Sequence, residues 1–119
     1  MANILLAEDD GSMRVFLKRA LEKAGHSVYA VGDGVEAFEA ILEDEFNLLL
    51  ADIVMPGIDG IELARRARER FPDLPIMFIT GFAAVALRAR NEFSADAKIL
   101  SKPFHLKDLV DEIEKLLAA

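Results

Sequence analysis

The sequence predicts an α/β domain: a doubly wound, five-stranded parallel sheet with helices on both faces. Three observations carry this expectation. Short apolar runs alternate strictly along the chain with segments whose apolar residues recur at i, i+3, i+4 and i+7. The runs are apolar without a polar alternation, as strands buried on both faces are. Four of the five runs also stop at a polar residue: Glu8, Asp52, Thr80 and Lys102. Strict strand and helix alternation implies parallel strands joined by crossovers, with helices covering both faces.

Residues 4–7 form the first run and stop at Glu8, Asp9 and Asp10. Met13, Phe16, Leu17, Ala20, Leu21 and Ala24 then keep helical spacing, with Ser12 as N-cap and Gly25 just past the end. Residues 27–31 read as the second strand, closed by Gly32, Asp33 and Gly34, and Val35, Phe38, Ile41 and Leu42 give the next helix its stripe. Residues 48–51 are the third strand, with Asp52 standing where it ends. After a turn containing Pro56, Gly57 and Gly60, a helix with a basic face runs to about Arg70, and Pro72 and Pro75 close it. Residues 76–79 form the fourth strand, ending at Thr80 and Gly81; residues 83–91 are apolar but weakly patterned and are read as helix. Residues 97–101 are the fifth strand, ending at Lys102 and Pro103, and Leu106, Leu109, Val110, Ile113, Leu116 and Leu117 make a final amphipathic helix.

The 119 residues suit one domain over 1–119, folding to roughly 6,400 Å² of surface from about 19,000 Å² unfolded. With 53% hydrophobic residues the chain can fill the core this implies. Acids outnumber bases by 21 to 14, and the resulting charge of −7 argues against binding a nucleic-acid backbone. Zero cysteines exclude disulfide scaffolds, thiolate zinc sites and thiol nucleophiles, and fit a cytoplasmic location. Neither a signal peptide nor a membrane span is expected, since no apolar run approaches ~18 residues.

Ligands of open α/β sheets bind outside the carboxyl ends of the strands. The residues there are Glu8, Asp9 and Asp10, then Asp52, Thr80 and Lys102. Like charges about 4 Å apart cost roughly 4 kcal/mol per pair at an effective dielectric near 20, so such a cluster needs a cation. An all-oxygen donor set without nearby His or Cys suits a hard ion, Mg²⁺ above all. A metal over a carboxylate with a hydroxyl and an ammonium beside it is an arrangement for phosphoryl transfer. Asp52, alone at its strand end, is the expected nucleophile; Asp9 and Asp10 are the expected metal pair, while Thr80 and Lys102 meet the phosphoryl oxygens. Taken singly, each residue has a plain explanation, and Asp9 and Asp10 precede a helix start where carboxylates are favourable anyway. Asp52 has no partner near it in sequence to explain a carboxylate after three leucines.

The stretches LLAEDD, LLLADIVMPGIDGIEL, IMFITG and LSKPF resemble, over the whole chain, the receiver domain of two-component response regulators. The resemblance implies strand order 2-1-3-4-5 and a phosphoryl group accepted on Asp52 from the phosphohistidine of a histidine kinase or histidine phosphotransferase. It implies Mg²⁺ held by Asp9, Asp10, Asp52 and the backbone carbonyl of Val54, phosphate contacts from Thr80 and Lys102, and a cis peptide bond before Pro103. A protein of this kind acts on no substrate beyond its own phosphorylation and dephosphorylation. ITGFAAVAL, DIVMPGIDGIELARRA and SKPFHLKDLV are similar to a narrower group, stand-alone receivers of alphaproteobacterial cell-cycle control. That likeness implies that the unphosphorylated form assists the ClpXP protease; the ending Leu117, Ala118, Ala119 resembles the small apolar tails that a ClpX-type unfoldase engages, with a frayed end of good helix formers as an equal alternative. With no effector segment after Ala119, output is expected to be a protein contact through the fourth helix, fifth strand and last helix, unless the chain is a piece of a larger regulator.

One departure stands out: Ile99 occupies the place, three before Lys102, where receivers usually carry an aromatic switch residue. Phe82 is read either as a rim residue of the site or as packing on the next helix. His26 and His105 are read as surface or helix-entry residues, and Arg65, Arg66, Arg68 and Arg70 as a solvated helix face, with a docking patch as the lesser alternative. Rival functions fit less well. A flavodoxin-like FMN carrier needs phosphate donors after the first strand, where EDDGS offers carboxylates. A haloacid-dehalogenase-type phosphatase wants a second carboxylate where Val54 stands. An interaction domain that accepts no phosphate would have no need of all five site residues.

Overall fold

A computed structural model describes residues 2–93 and 97–118. In chain order the elements are β1 (Asn3–Ala7), α1 (Gly11–Lys23), β2 (Ser27–Val31), α2 (Gly34–Glu43) and β3 (Leu48–Asp52). They continue with α3 (Gly60–Arg70), β4 (Ile76–Thr80), α4 (Ala83–Phe93), β5 (Ala97–Ser101) and α5 (Leu106–Ala118). All strand pairs are parallel and the order is β2-β1-β3-β4-β5, as the resemblance implies.

The short runs become strands because the sheet interior has no water for their backbones to bond, and β3 and β4, central in the order, are buried at every position. Their side chains divide by the two-residue period of a strand. Leu5, Leu49, Ala51, Ile76 and Phe78 face a layer containing Ala37, Ile41, Ile61, Ala64 and Ala67 of α2 and α3 and Ala89 of α4. Ile4, Leu6, Leu48, Leu50, Met77 and Ile79 face Leu17 and Leu21 of α1 and Leu109 and Ile113 of α5. The result is three layers with one apolar core on each face of the sheet. The accessible surface, 6418 Å², agrees with the value expected from chain length.

Carboxylates start three of the helices. Asp33 caps α2 and Asp59 caps α3, each accepting the backbone N–H of the residue three further on at 2.8 Å. The cap of α1 differs from the sequence reading: Asp10, not Ser12, holds it, with Oδ1 accepting from Ser12 N at 3.0 Å and Met13 N at 3.2 Å. Gly25 leaves α1 at φ +102, a conformation that suits glycine. Helix α4, whose end the sequence leaves open, runs to Phe93, whose ring packs on Phe78 with centroids 5.4 Å apart. Ala118 closes α5, while Ala119, the end of the expected tail, lies outside the described residues.

Candidate functional site

The carboxyl ends of β1, β3, β4 and β5 bring Glu8, Asp52, Thr80 and Lys102 to one place. Glu8 is fully buried, Asp52 is 6% exposed and Thr80 1%, a depth at which unpaired carboxylates are rarely found. Lys102 compensates them: Nζ donates to Glu8 Oε1 at 3.0 Å and to Asp52 Oδ2 at 2.9 Å. The other Asp52 oxygen, Oδ1, accepts the Val54 N–H at 3.1 Å, so Asp52 does have a local partner that the sequence reading missed. Gly60 packs on the same residue, since a Cβ there would overlap the Asp52 carbonyl oxygen. The Lys102–Pro103 peptide is cis.

The expected metal pair needs correction. Carboxylate oxygens of Glu8, Asp9 and Asp52 lie within 4.8 Å of one another, and Asp10 is outside the group. Asp10 is spent on the α1 cap, and its backbone N–H donates to Glu8 Oε2 at 3.2 Å. The acids that converge are therefore Glu8 and Asp9, the first buried and the second exposed. Burial pushes the Glu8 carboxyl up to about 7; its hydrogen bond to Lys102 works against the rise, and the neighbouring Asp52 adds to it. For Lys102, burial disfavours the charge, but hydrogen bonds to Asp52 and Glu8 outweigh it and leave the ammonium pKa raised. Three oxygen donors that close, two buried and one exposed, fit a hard divalent cation; a single ammonium cannot neutralise all three.

The profile of the response regulator receiver domain matches residues 4–114. The chain belongs to the receiver domain family of two-component response regulators. It is 64% identical over 119 residues to the response regulator receiver protein CpdR of Brucella abortus, covering 100% of this chain and 99% of that one. A receiver protein of Sinorhizobium medicae superposes with TM-score 0.90 at 34% identity, covering 98% of this chain and 94% of that one. The response regulator TrrA of Thermotoga maritima, solved in complex with Mg²⁺ and BeF, superposes with TM-score 0.87 at 28% identity, covering 98% and 99%.

The surroundings of the site carry further contacts. Thr80 Oγ1 accepts the Phe82 N–H at 3.1 Å, so the hydroxyl at the site also fixes the entry to α4. Phe82 itself is 62% exposed, which favours a rim position over packing on the next helix. Ile99, in the aromatic's usual place, is half-buried against the α2–α4 core. His26 is not a surface residue: it is buried, and Nε2 lies 2.9 Å from Glu114 Oε1 on α5. His105 is exposed, as expected. The basic face of α3 is largely engaged rather than merely solvated. Arg65 bonds Glu62 and, at 2.5 Å, Glu92; Arg66 bonds Glu62 at 2.9 Å and lies over the Phe38 ring; Arg68 donates to the Leu74 carbonyl at 2.8 Å. Among the described residues, no helix is long and apolar enough to cross a membrane.

Proposed function

We propose that this receiver accepts a phosphoryl group on Asp52 from the phosphohistidine of a histidine kinase or histidine phosphotransferase. The observation that carries the reading is Lys102 bridging Glu8 and Asp52, because it sets a cation, a nucleophile and a metal-capable acid at one buried point. In the reaction an Asp52 oxygen forms the new bond to phosphorus as the P–N bond breaks, and the departing imidazole takes up a proton. Lys102 transfers its contact from the free carboxylate to a phosphoryl oxygen, and the Thr80 hydroxyl donates to another. Val54, whose N–H already holds Asp52 Oδ1, keeps the second oxygen oriented. Asp9, Asp52 and the Val54 carbonyl, with Glu8 behind them, would hold Mg²⁺, which when bound neutralises charge on the phosphoryl oxygens. On this reading the protein turns over nothing but its own phosphoryl group and acts in the cytoplasm.

The likeness to CpdR supports a second step, in which the unphosphorylated form serves as an adaptor of the ClpXP protease and phosphorylation ends that contact. The exposed side chains of Phe82 and Leu87, 62% and 58% accessible, suit an output surface on α4, β5 and α5. With acetyl phosphate and Mg²⁺, intact mass should rise by ~80 Da, one phosphoryl group. The rise should vanish in Asp52→Ala and without metal, and an undiminished adduct in Asp52→Ala would overturn the assignment.

A further inference from the structure

Helix α4 has a thin apolar hold on the molecule. Among its described side chains only Ala86 and Ala89 are buried, both small, with Val85 and Phe93 half-buried beside them. What ties it laterally is charge. Arg88 of α4 donates to Asp59 Oδ2 at 2.6 Å, and Glu92 of α4 accepts from Arg65 of α3 at 2.5 Å. Both anchors on α3 are themselves fixed. Asp59 caps α3 through its other oxygen, and Arg65 is held on its own helix by Glu62. The anchored end of α3 sits directly on the site, where Gly60 touches the Asp52 backbone. The first turn of α4 is bound to the site as well, through the Phe82 N–H on Thr80 Oγ1. Helix α4 is therefore attached to the acid cluster at one end by a hydroxyl and along its side by two ion pairs, both closed while Lys102 engages the free Asp52 carboxylate.

We propose that these two α3–α4 ion pairs form the clamp that sets the resting position of α4. This rests on the phosphoryl-accepting role of Asp52. Phosphoryl contacts draw Thr80 toward Asp52 and pull on the start of α4, and the clamp opposes that displacement. A ligand moves such an equilibrium only by its differential contacts, so contacts made in one arrangement alone set the threshold. Exposed pairs of this kind each change an equilibrium by roughly two- to fivefold, which suits a switch that must open reversibly.

The test uses Arg88→Gln, Asp59→Asn, which keeps a capping oxygen, their double variant, and Glu92→Gln. Acetyl phosphate at saturating Mg²⁺ should phosphorylate Arg88→Gln and Glu92→Gln about threefold or more faster than wild type, because less of the clamp has to be broken. Combining Arg88→Gln with Asp59→Asn should add little to either alone. Amide exchange should quicken in α4 and stay unchanged in α1. In about 1 M salt, where the screening length is ~3 Å, the rate difference should shrink. Equal phosphorylation rates in all variants, or faster rates with α4 exchange unchanged, would overturn the clamp while the wild-type adduct upholds the receiver reading. A wild type that takes up no phosphoryl group would overturn that reading, and the clamp with it.

Discussion

The two ends of the sheet are made by the same strands, yet one buries its charges and the other leaves them at the surface. At the carboxyl end, Glu8, Asp52, Thr80 and Lys102 meet through contacts of about 3 Å with little room between them. At the amino end, Ile41, Phe46, Phe71 and Leu74 line a hollow of about 470 Å³ whose rim carries Asp44 and Asp73. The buried ionisable side chain near that end, His26, has a single exposed carboxylate as its partner. Chemistry follows buried opposing charges rather than volume, because only desolvated groups in contact shift one another strongly enough to drive a reaction.

The largest effect that sharpens this contrast is expected from Lys102→Met. It leaves Glu8 and Asp52 buried together without their cation, and unfolding in urea without metal at neutral pH should lose about 3 kcal/mol. A loss below about 1 kcal/mol would mean that the acids are neutralised by something other than Lys102.

Next comes Glu8→Gln, whose sign depends on pH. The Glu8 pKa is about 7 in the folded protein against an ordinary 4.5, so between these values the folded chain keeps a proton the unfolded chain has released. Stability therefore falls as pH rises through that window, the penalty being absent below it and complete above it. Without metal, Glu8→Gln should be more stable than wild type at pH ~8, by on the order of 1 kcal/mol or more, and the gain should disappear near the lower limit. A gain independent of pH would separate the effect from ionisation of Glu8.

Smaller again is the difference between two adjacent acids. Asp9→Asn should raise the Mg²⁺ concentration needed for half-maximal phosphorylation about tenfold, since it removes a charged oxygen donor. Asp10→Asn should stay within about twofold, because asparagine caps a helix as well as aspartate does. The reverse ranking would restore Asp10 to the metal. At the amino end, Asp73→Asn should change stability by no more than about 0.5 kcal/mol and leave phosphorylation untouched. A clear loss of phosphorylation there would break the comparison altogether.

Much of the fold was legible because the runs at 48–51 and 76–79 admit little besides buried strands and the α5 stripe admits little besides an amphipathic helix. The site was legible where one residue stands alone, as Asp52, Thr80 and Lys102 do. It was not legible among three consecutive acids, since sequence does not tell which of them turns inward. Glu8 goes in, Asp9 stays at the mouth, and Asp10 is consumed by the helix that begins two residues earlier than the Ser12 cap would have it. Asp and Ser are both preferred caps, so residue type alone does not choose between Asp10 and Ser12. The burial of His26 had no local signal: Glu114, its partner, is 88 positions away. The same holds for one contact of Arg65, whose partner Glu92 belongs to another helix.

The contact between Gly60 and the Asp52 carbonyl also limits how this protein can be re-engineered. Replacing a helix glycine by alanine is a common way to stabilise a domain, worth about 0.4–1 kcal/mol where the backbone permits it. At Gly60 the new methyl would strike the Asp52 and Ile53 backbones, and at Gly34 the Ile58 carbonyl, so neither obstacle can rotate aside. Relief would have to come from moving α3 or its loop away from the acid cluster, exchanging stability against the alignment of Asp52. Gly11 is the open alternative, because its nearest neighbour is the far end of the Arg14 side chain at 3.7 Å. A hardier version of this domain is thus reached by rigidifying the start of α1, while the glycine beneath Asp52 stays as it is.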